Sequence, residues 1–136
     1  MSVLSSGLPE HIDDEENLAR FLTSSSHFNS IMVKAAAFFP NPSDGQTSVS
    51  RHGAQPSETL WEIGSHAAGT RTLHGAAIFK AQHVREAMLD VLAKEPPPRH
   101  ANITNWPTSA KDSDLERAQR KECALILARH AILLRR

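Results

Sequence analysis

Apolar and polar positions alternate most cleanly over residues 100–104, where Ala101 and Ile103 are separated by His100, Asn102 and Thr104. A period of two predicts a short strand with one apolar face, here over 100–105. The prolines at 96–98 and at 107 bound it, because each fixes φ near −65° and biases the residue before it away from helix. Residues 47–52 predict a second strand, with Thr47 and Val49 at alternate places and Arg51 and His52 carried to its end. A third extended segment is predicted over 72–80. The apolar run 32–39 fits a helical stripe or a buried strand equally by spacing and is taken as a strand that stops at Pro40.

The period of 3.6 appears four times. Over 13–24, the acids Asp13, Asp14, Glu15 and Glu16 sit where a helix N-terminus is partially positive, and Leu18, Phe21 and Leu22 follow at helical spacing. Over 57–68, Pro56 opens a helix carrying Leu60, Trp61 and Ile63, and Gly69 stops it. Its internal Gly64 costs about 1 kcal/mol against alanine and so predicts close packing or an early end. Residues 81–93 put Val84, Ala87, Met88, Val91 and Leu92 on one side. The longest predicted helix covers 113–134, opened by a Ser113-x-x-Glu116 capping box and free of proline and glycine to the end.

Together these elements predict an α+β fold in one small domain: a short, mainly antiparallel sheet with about four helices, the last long and C-terminal. Residues 1–12 lack periodicity and read as a flexible tail before a domain at 13–136. The chain's 136 residues are too few for two independent cores. The second half of the last predicted helix, residues 123–134, is apolar around more than one stripe, and Leu125, Leu127, Ile132, Leu133 and Leu134 predict an interface with a protein partner or a second copy.

Composition narrows the function. Lys+Arg and Asp+Glu both number 15, so no global charge draws the chain to nucleic acid, and binding of a nucleic acid or nucleotide would need a local patch. One cysteine, Cys123, precludes an internal disulfide, and Met1–Gly7 has no charged-then-apolar leader, which predicts a cytoplasmic protein. No apolar stretch approaches the roughly 20 residues of a membrane span, so no membrane association is expected.

Eight histidines invite a search for chemistry. A metal site needs three or four converging ligands, usually with two at helical or knuckle spacing. His66, His74 and His83 are too far apart for one helix face, so neither a metal nor any other cofactor is predicted, leaving only an assembly of His52, His74 and His100 in three dimensions as a route to zinc. Histidine beside arginine fits an anion better, since imidazole moves protons near neutrality and guanidinium grips phosphate bidentately. On that reasoning His52 and His100 are candidate acid–base groups, and Arg51, His74, Arg85, Arg99, Asn102 and Trp106 are candidate binding residues. Neither a Gly-x-x-x-x-Gly-Lys loop nor a Gly-x-Ser-x-Gly elbow occurs. Cys123 reads as a small apolar core residue.

The order of Ser48-Val49-Ser50-Arg51, Leu60-Trp61-Glu62-Ile63-Gly64 and Arg99-His100-Ala101-Asn102-Ile103-Thr104-Asn105-Trp106-Pro107 resembles a widespread class of short bacterial proteins, over about Leu18 to Leu133. The resemblance implies a bacterial cytoplasmic protein and supplies no activity. Two functions follow from the residues themselves. The first is an accessory or regulatory subunit of a larger assembly, docked through the C-terminal helix. The second is a small metal-independent enzyme, of nuclease, ADP-ribosyl-transfer or phosphoryl-transfer type, acting on RNA or a nucleotide through a His/Arg site; whether the chain is an enzyme at all is left open by its residues.

Overall fold

A computed structural model describes residues 3–52 and 55–136. The centre of the molecule is the strand β1, Asn17–Leu22, buried on both faces: Leu18 and Leu22 point one way, Ala19 and Phe21 the other. It is flanked by β2 (Thr47–Arg51) and β3 (Gly75–Lys80), with β5 (His100–Thr104) and β4 (Asp90–Ala93) beyond β2 and β6 (Ile132–Arg135) beyond β3. All pairings in this sheet, ordered β4-β5-β2-β1-β3-β6, are antiparallel. The α+β class and the antiparallel sheet hold.

One face of the sheet carries the main core. Leu18, Leu22, Val49, Phe79, Val91 and Ile103 meet Phe38, Val84 of the short helix α2 (Ala81–Glu86) and Leu127 of the long helix α3 (Asp114–His130). The other face is covered only over β1, β3 and β6. There Leu60 and Trp61 of α1 (Ser57–Ala68) pack on Ala19, Phe21, Ala76, Ile78 and Leu134. Gly64 lets α1 lie this close, because a Cβ there would stand 2.7 Å from the Phe21 ring and 2.8 Å from Leu73 Cδ2. Over β2, β5 and β4 the same face has no helix on it, and Ser48 and Leu92 are exposed.

Several expected elements are corrected. The helix expected over 13–24 is the strand β1, since an i, i+3, i+4 apolar pattern also arises in a strand buried on both sides. Its acidic run serves long-range pairing instead: Asp14 meets Arg85 at 2.6 Å, Glu15 meets Lys80 at 3.0 Å, and Glu16 grips Arg51 with both oxygens. The strand expected over 32–39 is a 3₁₀ turn, Ala35–Phe38, that drives Phe38 into the core. The helix expected over 81–93 ends at Glu86; Met88 takes a left-handed φ of 66°, and the β-branched Val91 belongs to β4.

The helix expected to run to 134 stops at His130 and the chain continues as β6. This divides the apolar run read as an interface. Leu127 is buried, Leu133 joins the main core, and Leu134 packs under α1. Leu125 and Ile132 remain exposed, at 43% and 69%. The helix 57–68 and the strands near 47–52, 72–80 and 100–105 fall where expected.

The segment read as a tail contacts the body at Ser6, Pro9 and Ile12. Val3 bridges Pro9, Ser6 donates to Glu95 through both its N–H and its hydroxyl, and Ile12 is 2% exposed in the core. No helix among the described residues is long and apolar enough to cross a membrane.

Candidate functional site

β1 and β2 stay paired only at Leu18–Arg51 and Ala19–Ser50, then separate. Backbone groups freed by such a split need partners. Arg20 supplies them: its guanidinium reaches across to the carbonyls of Ser48, at 2.8 Å, and Ala37, also at 2.8 Å. Above the split, on the face that α1 covers only in part, lies a cavity of about 570 Å³. Its floor is Phe21, Ser48, Val49 and Ser50; the end of α1 with Ile63, His66, Ala67 and Ala68 forms one wall, and Pro97, Pro98, Arg99 and His100 form the other.

The second wall is the β4–β5 hairpin loop, which explains the proline run. Lys94 N–H bonds the His100 carbonyl at 2.9 Å, and His100 N–H bonds that of Pro97 at 3.1 Å. Arg99 is held at a left-handed φ of 70° with its N–H on Glu95, whose carboxylate also takes the two bonds from Ser6. Burial would raise the Glu95 pKa, but these hydrogen bonds and the charge of Arg51 hold it below the ordinary value.

His100 is fixed at both ring nitrogens. Nδ1 lies 2.8 Å from the Lys94 carbonyl, which can only accept, so Nδ1 carries the proton. In the neutral ring Nε2 is then an acceptor, and the Ser48 hydroxyl, 2.7 Å away, donates to it. Ser48 and Ser50 share one face of β2, and Ser50 stands directly opposite His100.

The charge in the cavity is uncompensated. Arg20, Arg71, Arg99, His66 and His100 line it, and no aspartate or glutamate is among the described lining residues. Arg71 spends two donors on the Ala67 and Ala68 carbonyls, capping the negative end of α1. Burial, and then the charge of Arg71, lower the Arg20 pKa. Among the described residues, two buried side-chain atoms of cavity-lining residues have no hydrogen-bond partner: Ser50 Oγ, in a residue 5% exposed, and Arg99 NH1. Burial, and then the charge of Arg99, lower the pKa of His52, on the same strand end as Ser50, and its Nδ1 has no partner among the described residues.

The structure thus brings together His100, Arg99 and, beside them, His52, with Asn102 next to His100 on the same face of β5 and opposite Ser48. Arg51 is elsewhere. Its side chain enters the main core, is 0% exposed, and is consumed by Glu16 and the Pro9 carbonyl. Arg85 is occupied by Asp14, Asp90 and the Ile12 carbonyl, and His74 packs on the Phe28 ring. Trp106 is 4% exposed and borders a second cavity with Phe39, Pro40 and Pro42; its Nε1 has no partner among the described residues. Among the described residues no three metal-ligating side chains converge. Burial and Glu122 raise the Cys123 pKa, so it stays a thiol, directed at the Ala87 carbonyl.

Sequence reasoning missed Ser48, Ser50, Arg20, His66 and Arg71. The signal for the first two was available: Ser48 and Ser50 occupy the polar phase of a period-two strand, as His100 and Asn102 do in its neighbour. Comparison with known families, curated proteins and solved structures finds no match for this chain.

Proposed function

We propose that the protein binds a small molecule with one anionic group, a phosphate or a carboxylate, and an apolar body, in the cavity between α1 and the proline loop. The observation that carries the reading is the gathering of Arg20, Arg71 and Arg99 around a cavity with no aspartate or glutamate among its described lining residues. An anion would relieve the repulsion between Arg20 and Arg71. Phe21, Val49, Ile63, Pro97 and Pro98 provide the apolar wall that such pockets usually have.

Titration calorimetry with 1-naphthyl phosphate and 1-naphthoate tests the reading. Binding to the wild type, and its loss in Arg99→Gly at unchanged melting temperature, is the expected result. Equal heats for the anions and for uncharged naphthol would overturn it.

A further inference from the structure

We propose that Ser48 and His100 form a nucleophile–base pair and that the cavity hydrolyses a carboxylic ester whose acid or alcohol part bears the anionic group. This rests on the anion-binding reading for its substrate class, but the pair itself rests on separate geometry. Nucleophilic serine catalysis needs a base at hydrogen-bond distance, a third group that fixes the base's tautomer, and donors for the developing oxyanion. Each requirement has a residue here. Ser48 Oγ lies 2.7 Å from His100 Nε2, and the Lys94 carbonyl, 2.8 Å from Nδ1, holds the tautomer that leaves Nε2 free to accept. Ser48 is solvent-accessible in the cavity, so a carbonyl carbon can reach it. Arg99, in the cavity wall next to His100 in sequence, supplies a positive charge that favours a developing oxyanion.

In the proposed reaction Ser48 Oγ bonds to the ester carbon as its proton passes to His100 Nε2. The carbon–oxygen bond to the alcohol then breaks, and His100 returns that proton to the departing oxygen, leaving acyl-Ser48. Water repeats the sequence: Nε2 takes its proton, the hydroxide bonds to the acyl carbon, and Ser48 leaves with the proton. The products are a carboxylic acid and an alcohol. Lys94 contributes a carbonyl dipole where serine proteases have a carboxylate, so turnover is expected to be slow and the acyl-enzyme to persist.

A fluorophosphonate probe, with peptide mass spectrometry to map the adduct, tests the pair. The wild type is expected to be labelled at Ser48, at a rate that rises as an imidazole loses its proton. His100→Gln should label at least tenfold more slowly and Ser48→Ala not at that peptide, while Ser48→Ala still binds 1-naphthyl phosphate. Because His100 also closes the hairpin, melting curves accompany each variant; the wild-type pH profile stands in for His100→Gln should that variant fail to fold. Absence of a Ser48 adduct, or labelling indifferent to both pH and His100, overturns the proposal. Anion binding without labelling would sink the dyad and leave the binding reading intact. Labelling without anion binding would do the reverse.

Discussion

Two arginines, 51 and 99, show how neighbours in the fold can have opposite roles. The Arg51 guanidinium is 0% exposed and bonded to Glu16 and Pro9, a buried pair whose partner cannot be removed cheaply. Glu16→Ala should destabilise the protein by about 3–5 kcal/mol in chemical denaturation, because it strands a buried charge. Arg99 has a free donor and a left-handed backbone whose cost is about 1–2 kcal/mol for a residue with a Cβ. Arg99→Gly should therefore hold or raise the melting temperature while anion binding disappears. The sequence marks both as arginines beside histidines and cannot distinguish them; strand parity does. Arg51, in phase with Thr47 and Val49, is committed to the core, a consequence of position that could have been counted.

At the scale of elements, the secure readings are those where one side of an element meets water. The helix α1 and the strands β2 and β5 were legible because each keeps a polar side, whereas β3, buried on both faces, was read only as an extended segment. The strand β1 was not legible, since burial on both faces erases the period of two, and α3 plus β6 merged into one apparent helix because no proline or glycine separates His130 from Ile132. Half of the candidate site shared this fate: His100 and Arg99 were visible as residue types, whereas Arg20 and Arg71 matter only through a split between strands. Gly64 tests the contact of α1 with the sheet. Alanine there gains about 1 kcal/mol of helix propensity but places a methyl 2.7 Å from Phe21, so Gly64→Ala should lower stability by about 1–3 kcal/mol and narrow the cavity that Phe21 floors. At the start of α3, Ser113→Ala removes the side-chain half of an intact capping box and should cost about 1 kcal/mol in thermal melts.

For the whole molecule, acid is the revealing variable. His52 has its pKa lowered by burial and Arg99, so below the unfolded-chain value of about 6.5 the unfolded state takes up a proton that the fold resists, and stability falls as pH drops through that window. Glu95, held low by its hydrogen bonds, contributes stability that is present above its unfolded value, about 4.3, and is lost as pH falls through the lowered one. Melting temperatures from pH 7 to pH 3 should decline in two stages, with His52→Gln reducing the upper, to which His27, lowered by burial and then Arg20, also contributes, and Glu95→Gln reducing the lower. A single stage unmoved by either substitution would contradict this account.

Ser6 hangs on the same carboxylate that fixes Arg99, and Pro9 on the guanidinium inside the core. Anyone trimming the first ten residues as dispensable would therefore obtain a protein that still shows a sheet by circular dichroism, yet with its anion-gripping hairpin unmoored and its affinity gone.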